Sequence, residues 1–334
     1  MHHQLKNLPK VELHRHLEGS IPVPLTLAWS KKYHLPLPPS EPEKNIQVKT
    51  PMPLPKVLER LFYQQRCFQD RESVETLTYE VLKDIALDNI KLIELRFSPG
   101  FMAEPKNLPF DMIMEATLSA KERAEKDFNM EVGFILISSR DLGNDICEET
   151  VDLAIRWKKE IVGIDLAGDE TNFPPELFEK PFQRAHKEGL FITAHSGEVS
   201  HPSHITTSIQ KLKASRIGHG VQAIQDPTVI QYLVKHKIPL ELCPTSNFMT
   251  KAIPHIKEHP LKKFMELGVE VTINSDDPTL FGTTLTQEYE ICMQSLGFSL
   301  EEIQKTILTS FRHSFLSDEK KKRAWKQHLH TLEN

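Results

Sequence analysis

The sequence of 334 residues has few of the features that mark secreted, membrane-bound or metal-thiolate proteins. Its four cysteines include no CxxC pair, so they suggest neither a disulfide framework nor a thiolate zinc site. No apolar run approaches the roughly 18–20 residues of a membrane helix, and the N-terminus lacks the apolar segment of a secretory signal. We therefore expect a cytoplasmic protein with reduced thiols and no membrane partner.

Neither sign of charge dominates the chain. The 41 Lys and Arg residues against 46 Asp and Glu residues leave a formal net charge of −5. A net charge this small gives no indication of a basic surface for nucleic acid. It is more consistent with a small-molecule substrate than with a nucleic-acid partner. What the chain does have is 16 histidines, each a possible metal ligand or proton-transfer group.

Short β-branched runs alternate with helical-period segments from about residue 80 onward, which is typical of βα units around a parallel sheet. With one run near the N-terminus, eight strands are predicted, at 10–14, 92–97, 132–138, 161–166, 191–195, 216–219, 239–243 and 269–275. Helices are predicted at 55–68, 72–89, 108–126, 145–158, 175–188, 226–236, 260–267, 283–296, 299–311 and 319–328. The length allows two ordinary domains or one barrel. The economical architecture is a single α/β domain over 1–334, a (β/α)8 TIM barrel, with an open doubly wound sheet as the alternative.

Seven prolines fall between residues 36 and 55, in the region that separates the first two strands. Proline fixes φ and removes a backbone donor, so 35–55 is predicted to be a stiff, irregular loop. It belongs to a helical insertion that extends to about residue 90. The loop is either a surface excursion or a wall or lid over the barrel mouth, where barrels keep their chemistry.

Histidines and carboxylates collect at the predicted C-terminal ends of four strands, where the catalytic groups of α/β barrels gather. His14 and His16 lie two residues apart, so their side chains point to the same side of the first strand. The full set is His14 and His16 after the first strand, His195 and Glu198 after the fifth, His219 after the sixth, and Asp276 and Asp277 after the eighth. The pattern predicts one polar site at this face.

Imidazoles with one carboxylate and no clustered thiolates are ligands typical of Zn²⁺, with Fe²⁺ or Co²⁺ as alternatives. We expect one metal ion, held by His14, His16, His195 and one of the two aspartates. A binuclear site is disfavoured because the fourth strand ends without a lysine that could be carbamylated. Such a metal lowers the pKa of bound water and so provides hydroxide at neutral pH.

Two further groups have the chemistry to complete a hydrolytic reaction. Burial would raise the pKa of the Glu198 carboxyl, so Glu198 could deliver a proton to the substrate. His219 and the ligating aspartate could take the proton from the attacking water. These residues predict hydrolysis at a carbon that becomes electrophilic when its neighbouring atom is protonated.

Seven segments together resemble the adenosine deaminase family of metal-dependent hydrolases. They are ELHRHLEGS (12–20), LRFSP (95–99), DLAGDE (165–170), HSGE (195–198), RIGHG (216–220), CPTSN (243–247) and NSDDP (274–278). The resemblance spans about residues 9–316. It implies a TIM barrel fold. It also implies the hydrolytic deamination of adenosine and 2′-deoxyadenosine in purine salvage.

The same resemblance implies a role for each site residue. One zinc ion per chain is held by His14, His16, His195 and Asp276. Glu198 protonates purine N1, and His219, with Asp276, orients and deprotonates the attacking water. The implied substrate contacts are His16, Glu18, Gly168 through its backbone to N3, and Asp277 to N7.

One departure from the family pattern concerns the substrate. Adenosine deaminases usually have an aspartate where this chain has Glu18, and a glutamate there is similar to the adenine and aminodeoxyfutalosine deaminases of the family. The segment DDPTLFGTTL (276–285) is more similar to the nucleoside-accepting members. The expected substrate is adenosine, with another 6-aminopurine as the alternative. A non-catalytic purine-binding protein is the alternative class.

Overall fold

The computed structural model describes residues 2–333, which form a barrel of eight parallel strands with helices around it. The strands are β1 (Lys10–His16), β2 (Ile90–Phe97), β3 (Glu131–Ser139), β4 (Gly163–Ala167), β5 (Phe191–Ser196), β6 (Arg216–His219), β7 (Leu240–Leu242) and β8 (Val271–Ile273), and each pairs with the next in parallel register. The segment after β8 completes the ring. The N–H of Asp276 donates to the carbonyl of His14 at 3.1 Å, and the N–H of His16 donates to the carbonyl of Asp276 at 2.9 Å. The predicted TIM barrel is confirmed, and the open sheet is wrong.

Helices follow the strands and cover the outside of the barrel. The α-helices are α1 (His2–Asn7), α2 (Val23–Tyr33), α3 (Pro42–Asn45), α4 (Leu54–Gln65), α5 (Arg71–Leu87), α6 (Pro99–Ala103), α7 (Phe110–Phe128), α8 (Gly143–Arg156), α9 (Glu179–Lys187), α10 (Ser203–Lys211), α11 (Pro227–His236), α12 (Pro244–Met249), α13 (Leu261–Glu266), α14 (Pro278–Phe281), α15 (Leu285–Leu296), α16 (Leu300–His313) and α17 (Asp318–Gln327). Short 3₁₀ helices lie at Glu18–Ser20, Arg140–Leu142, Pro175–Phe178, Val221–Gln225, Ile256–Glu258 and Leu329–Glu333. Among residues 2–333, no helix combines the length and apolar character needed to span a bilayer.

The strands are buried on both faces, as in other parallel sheets that are covered by helices. All nine residues of β3 and all five of β4 are buried. Each predicted strand is present, and its ends lie within two residues of the predicted bounds. Inside the barrel, several strands also carry buried charges, among them Arg96, Asp165 and Glu241.

Two of the longer helices, α5 and α16, begin at capping boxes. Asp70 accepts from the N–H of Ser73 while the Ser73 side chain accepts from the N–H of Asp70, and this capping box starts α5. Ser299 and Glu302 form the same motif at α16. Helix α2 is not among the predicted helices, because its apolar residues alternate with a period near two and prolines flank its start.

The proline-rich segment lies at the barrel mouth. It is irregular, as predicted, apart from the single turn of α3. The N–H of Val48 donates to the carbonyl of Leu280 at 2.8 Å, and the N–H of Met52 donates to the carbonyl of Met249 at 2.9 Å. These bonds attach the segment to the elements that follow β7 and β8. It therefore acts as a wall of the mouth and not as a distant excursion.

Candidate active site

Four residues that the sequence analysis predicts as metal ligands meet at the barrel mouth. His14 and His16 come from the end of β1, His195 from the end of β5, and Asp276 from the turn after β8. One donor atom of each lies within 4.8 Å of the others. The Nε2 atoms of His16 and His195 are 3.2 Å apart, and Asp276 Oδ1 lies 3.2 Å from His14 Nε2 and 3.1 Å from His16 Nε2. We call these four residues the donor set.

The geometry of the donor set fits one small cation. Ligands at the usual zinc–nitrogen distance on one tetrahedral ion lie about 3.3 Å apart, which matches the spacing found here. His14 Nε2 is buried and makes no hydrogen bond among the described residues. A buried nitrogen without a partner is costly unless a ligand occupies its lone pair. The residues present therefore fit a metal ion.

Two buried carboxylates hold the histidines from behind. Glu241 Oε2 accepts from His14 Nδ1 at 2.8 Å, and Asp165 Oδ2 lies 3.0 Å from His195 Nδ1. Arg96 donates to both carboxylates, at 2.8 Å each. Although burial opposes it, the charges of Arg96 and Arg216 hold the pKa of Glu241 well below its usual range. Because ionised carboxylates only accept, the Nδ1 atoms carry the protons and the Nε2 lone pairs face the donor set.

A second group of possible ligand atoms shares Asp276 with the donor set. It consists of His219, Cys243 and Asp276. Burial raises the pKa of the Cys243 thiol well above its usual range, so Cys243 stays a thiol, and its Sγ lies 3.7 Å from the carbonyl of Glu241. Because this group shares Asp276 with the donor set, it does not supply a second, separate set of ligands.

Glu198 lies beside the donor set and is 4% exposed. Its Oε1 accepts from the Thr250 hydroxyl at 2.7 Å, and its Oε2 lies 3.7 Å from His219 Nε2. Burial, reinforced by the charges of Asp276 and Glu170, raises the pKa of Glu198 to about 8. The carboxyl is therefore protonated at neutral pH, with Oε2 as the oxygen left free to donate.

Glu170 positions the loop that carries Glu198, and the sequence analysis does not single it out. Its carboxylate is 1% exposed and accepts from the N–H groups of Gly197, Val199 and Ser200, and from the Ser200 hydroxyl at 2.8 Å. Glu170 is the last residue of DLAGDE, so its motif was visible. Its partners 27 to 30 positions later were not.

Two polar residues at strand ends adopt a left-handed backbone conformation. His219 has φ 59° and Asp276 has φ 63°. This conformation costs free energy in residues other than glycine and clusters at functional sites. It brings His219 Nε2 to 4.0 Å from Asp276 Oδ2, whereas Asp276 Oδ1 faces the histidines of the donor set.

A cavity of about 390 Å³ opens over these groups, and the three remaining predicted site residues line it. Glu18 Oε1 accepts from the N–H of Ser98 at 2.8 Å, and Oε2 has no hydrogen-bond partner among the described residues. Burial raises the pKa of Asp277 to about 8. Gly168 has φ 101°, which brings its backbone to the cavity wall. Helix α4 supplies much of the opposite, apolar wall.

The Asp277 carboxyl occupies the space that a side chain on residue 19 would need, so this position requires glycine. The sequence patterns did not reveal this role of Gly19. A Cβ on Gly19 would lie 1.8 Å from Asp277 Oδ1 and 2.4 Å from its Cγ. No side chain can be accommodated there without moving the carboxyl. Gly19 therefore keeps Asp277 at the cavity.

Comparison with known proteins agrees with this geometry. Residues 9–329 match the family described as adenosine deaminase. An adenosine deaminase of Klebsiella pneumoniae (strain 342) is 35% identical over 319 residues, which cover 94% of this chain and 96% of that protein. The chain belongs to the adenosine deaminase family. It is accordingly a hydrolase that acts on carbon–nitrogen bonds.

Solved structures similar to this chain include enzymes that are named for different substrates. An adenine deaminase from Arthrobacter aurescens superimposes with a TM-score of 0.91 at 28% identity, covering 98% of this chain and 100% of that chain. The N6-methyl-AMP deaminase of Arabidopsis thaliana superimposes with a TM-score of 0.84 at 27% identity, covering 97% of each chain. The substrates in these two names differ at purine N9, which carries no sugar in adenine and a ribose 5′-phosphate in N6-methyl-AMP.

Replacing one residue of the donor set should remove the metal. We expect His14→Ala to lower the affinity for zinc at least about 100-fold, because one ligand and its Glu241 contact are both lost. Zinc per chain, measured by elemental analysis after dialysis against a weak chelator, checks this. His201→Ala, which removes an exposed imidazole, should leave zinc unchanged. An equal zinc content in the two variants would contradict ligation by His14.

A methyl group at residue 19 should impair substrate binding without removing the metal. We expect Gly19→Ala to lower kcat/KM about 100-fold, because a displacement near 1 Å of a positioning group has effects of this size. Zinc content should be unchanged. Gly297→Ala is the control, since nothing lies within 4 Å of that position, and it should affect only the melting temperature. Equal kcat/KM in both variants would refute the role of Gly19.

Proposed function

We propose that this protein is a zinc-dependent adenosine deaminase, which converts adenosine and 2′-deoxyadenosine to their 6-oxo products and ammonia. The observation that carries the proposal is the meeting, in one cavity, of the donor set, a protonated Glu198 and His219. Relatives named adenosine deaminase, at 35% identity over nearly the whole chain, support adenosine as the substrate.

Zn²⁺ is the metal that suits the donor set, because imidazole nitrogens with one carboxylate oxygen are its usual ligands in hydrolases. When bound, zinc lowers the pKa of a coordinated water towards about 7 and so supplies a nucleophile at neutral pH. His14, His16, His195 and Asp276 Oδ1 would hold it. One ion per chain is proposed.

Glu198 acts as the general acid. Thr250 donates to one carboxyl oxygen, so the proton lies on Oε2, which faces the reacting groups. Transfer of this proton to purine N1 withdraws electrons from C6 and makes that carbon electrophilic. Glu170 keeps the Glu198 loop in place during the transfer.

Asp276 and His219 bind and deprotonate the attacking water. Asp276 Oδ2 and His219 Nε2 lie 4.0 Å apart, which leaves room for a water oxygen between the two groups. Together they orient the water and remove its proton as the bond to C6 forms. The proton taken from the water then passes to the 6-amino nitrogen, and the bond from this nitrogen to C6 breaks to release ammonia. The proton of the hydroxyl group on C6 returns to Glu198 as the 6-oxo group forms.

The purine and its sugar are held by residues around the cavity. Asp277, protonated because of its raised pKa, can donate to purine N7, which only accepts. The backbone N–H of Gly168 is assigned to N3, and His16 contacts the ring from the side of the donor set. Glu18 Oε2, which is buried and has no hydrogen-bond partner within residues 2–333, would accept from a sugar hydroxyl.

A second cavity supports a second candidate substrate class, 6-aminopurine nucleosides with an anionic 5′ extension, such as aminodeoxyfutalosine or a nucleotide. It measures about 490 Å³ and adjoins the first across Phe62 and Phe101, whose rings pack edge to face. Its lining includes the exposed cations Arg66 and Lys106 and one exposed carboxylate, Glu104. An acidic group extending from the sugar could reach these side chains.

A substrate panel on the zinc-loaded enzyme tests the proposed function. We expect kcat/KM for adenosine, followed by the loss of its ultraviolet absorbance, to exceed that for adenine at least about 100-fold, because a base leaves Glu18 without a partner. Arg66→Ala with Lys106→Ala should leave adenosine turnover unchanged. If that double variant instead loses turnover of a preferred anionic 5′ substrate, the second class is correct. Turnover of adenine alone, or of no purine, would overturn the proposal.

The pH dependence should report the proton of Glu198. Because the acid form is the active one, we expect kcat to be level near pH 7 and to fall tenfold per unit as pH rises beyond about 8. Glu198→Gln should retain zinc and lose about 10²- to 10⁴-fold in kcat, since an amide cannot transfer the proton. Steady-state kinetics and elemental analysis measure both. Near-normal activity of Glu198→Gln would contradict the acid role.

A further inference from the structure

A buried chain of hydrogen bonds runs from helix α13 to His219. The backbone N–H of Leu261, at the start of α13, donates to His259 Nδ1 at 3.1 Å. His259 Nε2 lies 3.0 Å from Asn247 Oδ1, and Asn247 Nδ2 lies 3.0 Å from His219 Nδ1. All three side chains are at most 4% exposed, so no water competes for these contacts. Neither Asn247 nor His259 has a role in the chemistry described above.

The direction of each bond follows from the backbone group at its origin. A backbone N–H can only donate, so His259 Nδ1 must present its lone pair. Burial lowers the pKa of His259 to about 3, so the ring is neutral and its one proton is on Nε2. That N–H requires an acceptor, which is the amide oxygen of Asn247. The N–H of Leu261, acting through His259, therefore determines which end of the Asn247 amide is the oxygen. This removes the usual ambiguity between the oxygen and the nitrogen of an asparagine amide.

The other end of the Asn247 amide determines the state of His219. An amide nitrogen carries only hydrogens, so it donates to His219 Nδ1, which must present a lone pair. A proton on Nδ1 would point at the N–H of Asn247, and this disfavours both the other tautomer and the imidazolium. The single ring proton of His219 lies on Nε2.

We propose that Asn247 and His259 are positioning residues that lock His219 in its Nε2–H tautomer, so that His219 donates a hydrogen bond to the attacking water and does not take its proton. The base is then Asp276. The water O–H bond breaks as the proton passes to Asp276 Oδ2, and the oxygen forms its bond to C6 while it accepts from His219 Nε2. This narrows the shared role given to the two groups above and rests on the proposed function.

The surroundings of His219 Nε2 suit a donor. Asp276 Oδ2 lies 4.0 Å from His219 Nε2, and an ionised carboxylate oxygen can only accept. Asp276 Oδ1 faces His14 and His16, which leaves Oδ2 as its free basic oxygen. A lone pair on Nε2 would instead face the lone pairs of Asp276 Oδ2 across the gap.

The tautomer can be measured directly in the wild-type protein. Protein labelled with ¹⁵N-histidine, with and without zinc, is examined by long-range ¹H–¹⁵N correlation, and the His219 signals are assigned by their loss in His219→Gln. We expect Nδ1 to show the shift of a nitrogen with a lone pair and Nε2 that of a protonated nitrogen. A protonated Nδ1 would overturn the proposal. This readout is independent of turnover, so it stands even if no purine is deaminated.

Asn247→Asp reverses the last bond with almost no change of shape. The carboxylate still accepts from His259 Nε2, but it also accepts from His219 Nδ1 and so draws a proton there. We expect Nδ1 to become protonated, zinc to stay bound, KM to change less than threefold, and kcat to fall about 10²- to 10³-fold, as when one oxyanion donor is lost. A protonated Nδ1 with unchanged kcat would refute the donor role. An unprotonated Nδ1 would refute the lock.

Two variants at His259 test whether this side chain acts on His219 through its hydrogen bonds or only through its bulk. The amide of His259→Gln can accept from Leu261 N–H and donate to Asn247, so it should retain the wild-type nitrogen shifts and kcat within about fivefold. His259→Leu has similar bulk and no polar atom, so it should give mixed tautomers at His219 and a larger loss of kcat at unchanged zinc content. Equal kcat and equal shifts in the two variants would show that His259 only packs, and would overturn its role.

Discussion

The guanidinium of Arg96 sits in the closed interior of the barrel, and the polar site depends on it. Arg96 donates to both Asp165 and Glu241, and each carboxylate in turn holds the Nδ1 atom of one histidine of the donor set. Without Arg96, two carboxylates would be buried with less countercharge, and breaking such a pair costs about 3–5 kcal/mol. The arrangement thus couples the stability of the barrel to the orientation of His14 and His195.

The histidines at this site adopt different tautomers because the hydrogen bonds at their Nδ1 atoms run in different directions. Carboxylates accept behind His14 and His195, so their Nε2 lone pairs face the donor set. An amide donates behind His219, so its Nε2 carries a proton instead. All three imidazoles therefore present Nε2 to one cavity, but this nitrogen is a lone-pair donor in His14 and His195 and a hydrogen-bond donor in His219. The chemistry of each histidine follows from its neighbour and not from the residue type alone.

Much of the fold and the site could be predicted because the signals are local. The β-branched runs mark each strand, and HxH, HSGE and NSDD place their side chains at strand ends, which a closed barrel must bring to one mouth. Helix α2 was missed because its local pattern imitates a strand. Glu170, Glu241 and His259 were missed for a different reason. Their partners lie far away along the chain, and a charged or polar residue in a strand or loop is usually a solvated one.

The sequence by itself determined the barrel, the membership of the adenosine deaminase family and the residues that gather at its mouth. These follow from periodicity and from residue types at strand ends, which are properties of short segments. The tertiary structure alone decided what lies behind each site residue, how far Gly19 lies from Asp277, and which cavity adjoins the first. Those properties depend on distances between segments that only barrel closure brings together. Because these side chains are buried, the direction of each hydrogen bond determines which nitrogen of its histidine carries the proton.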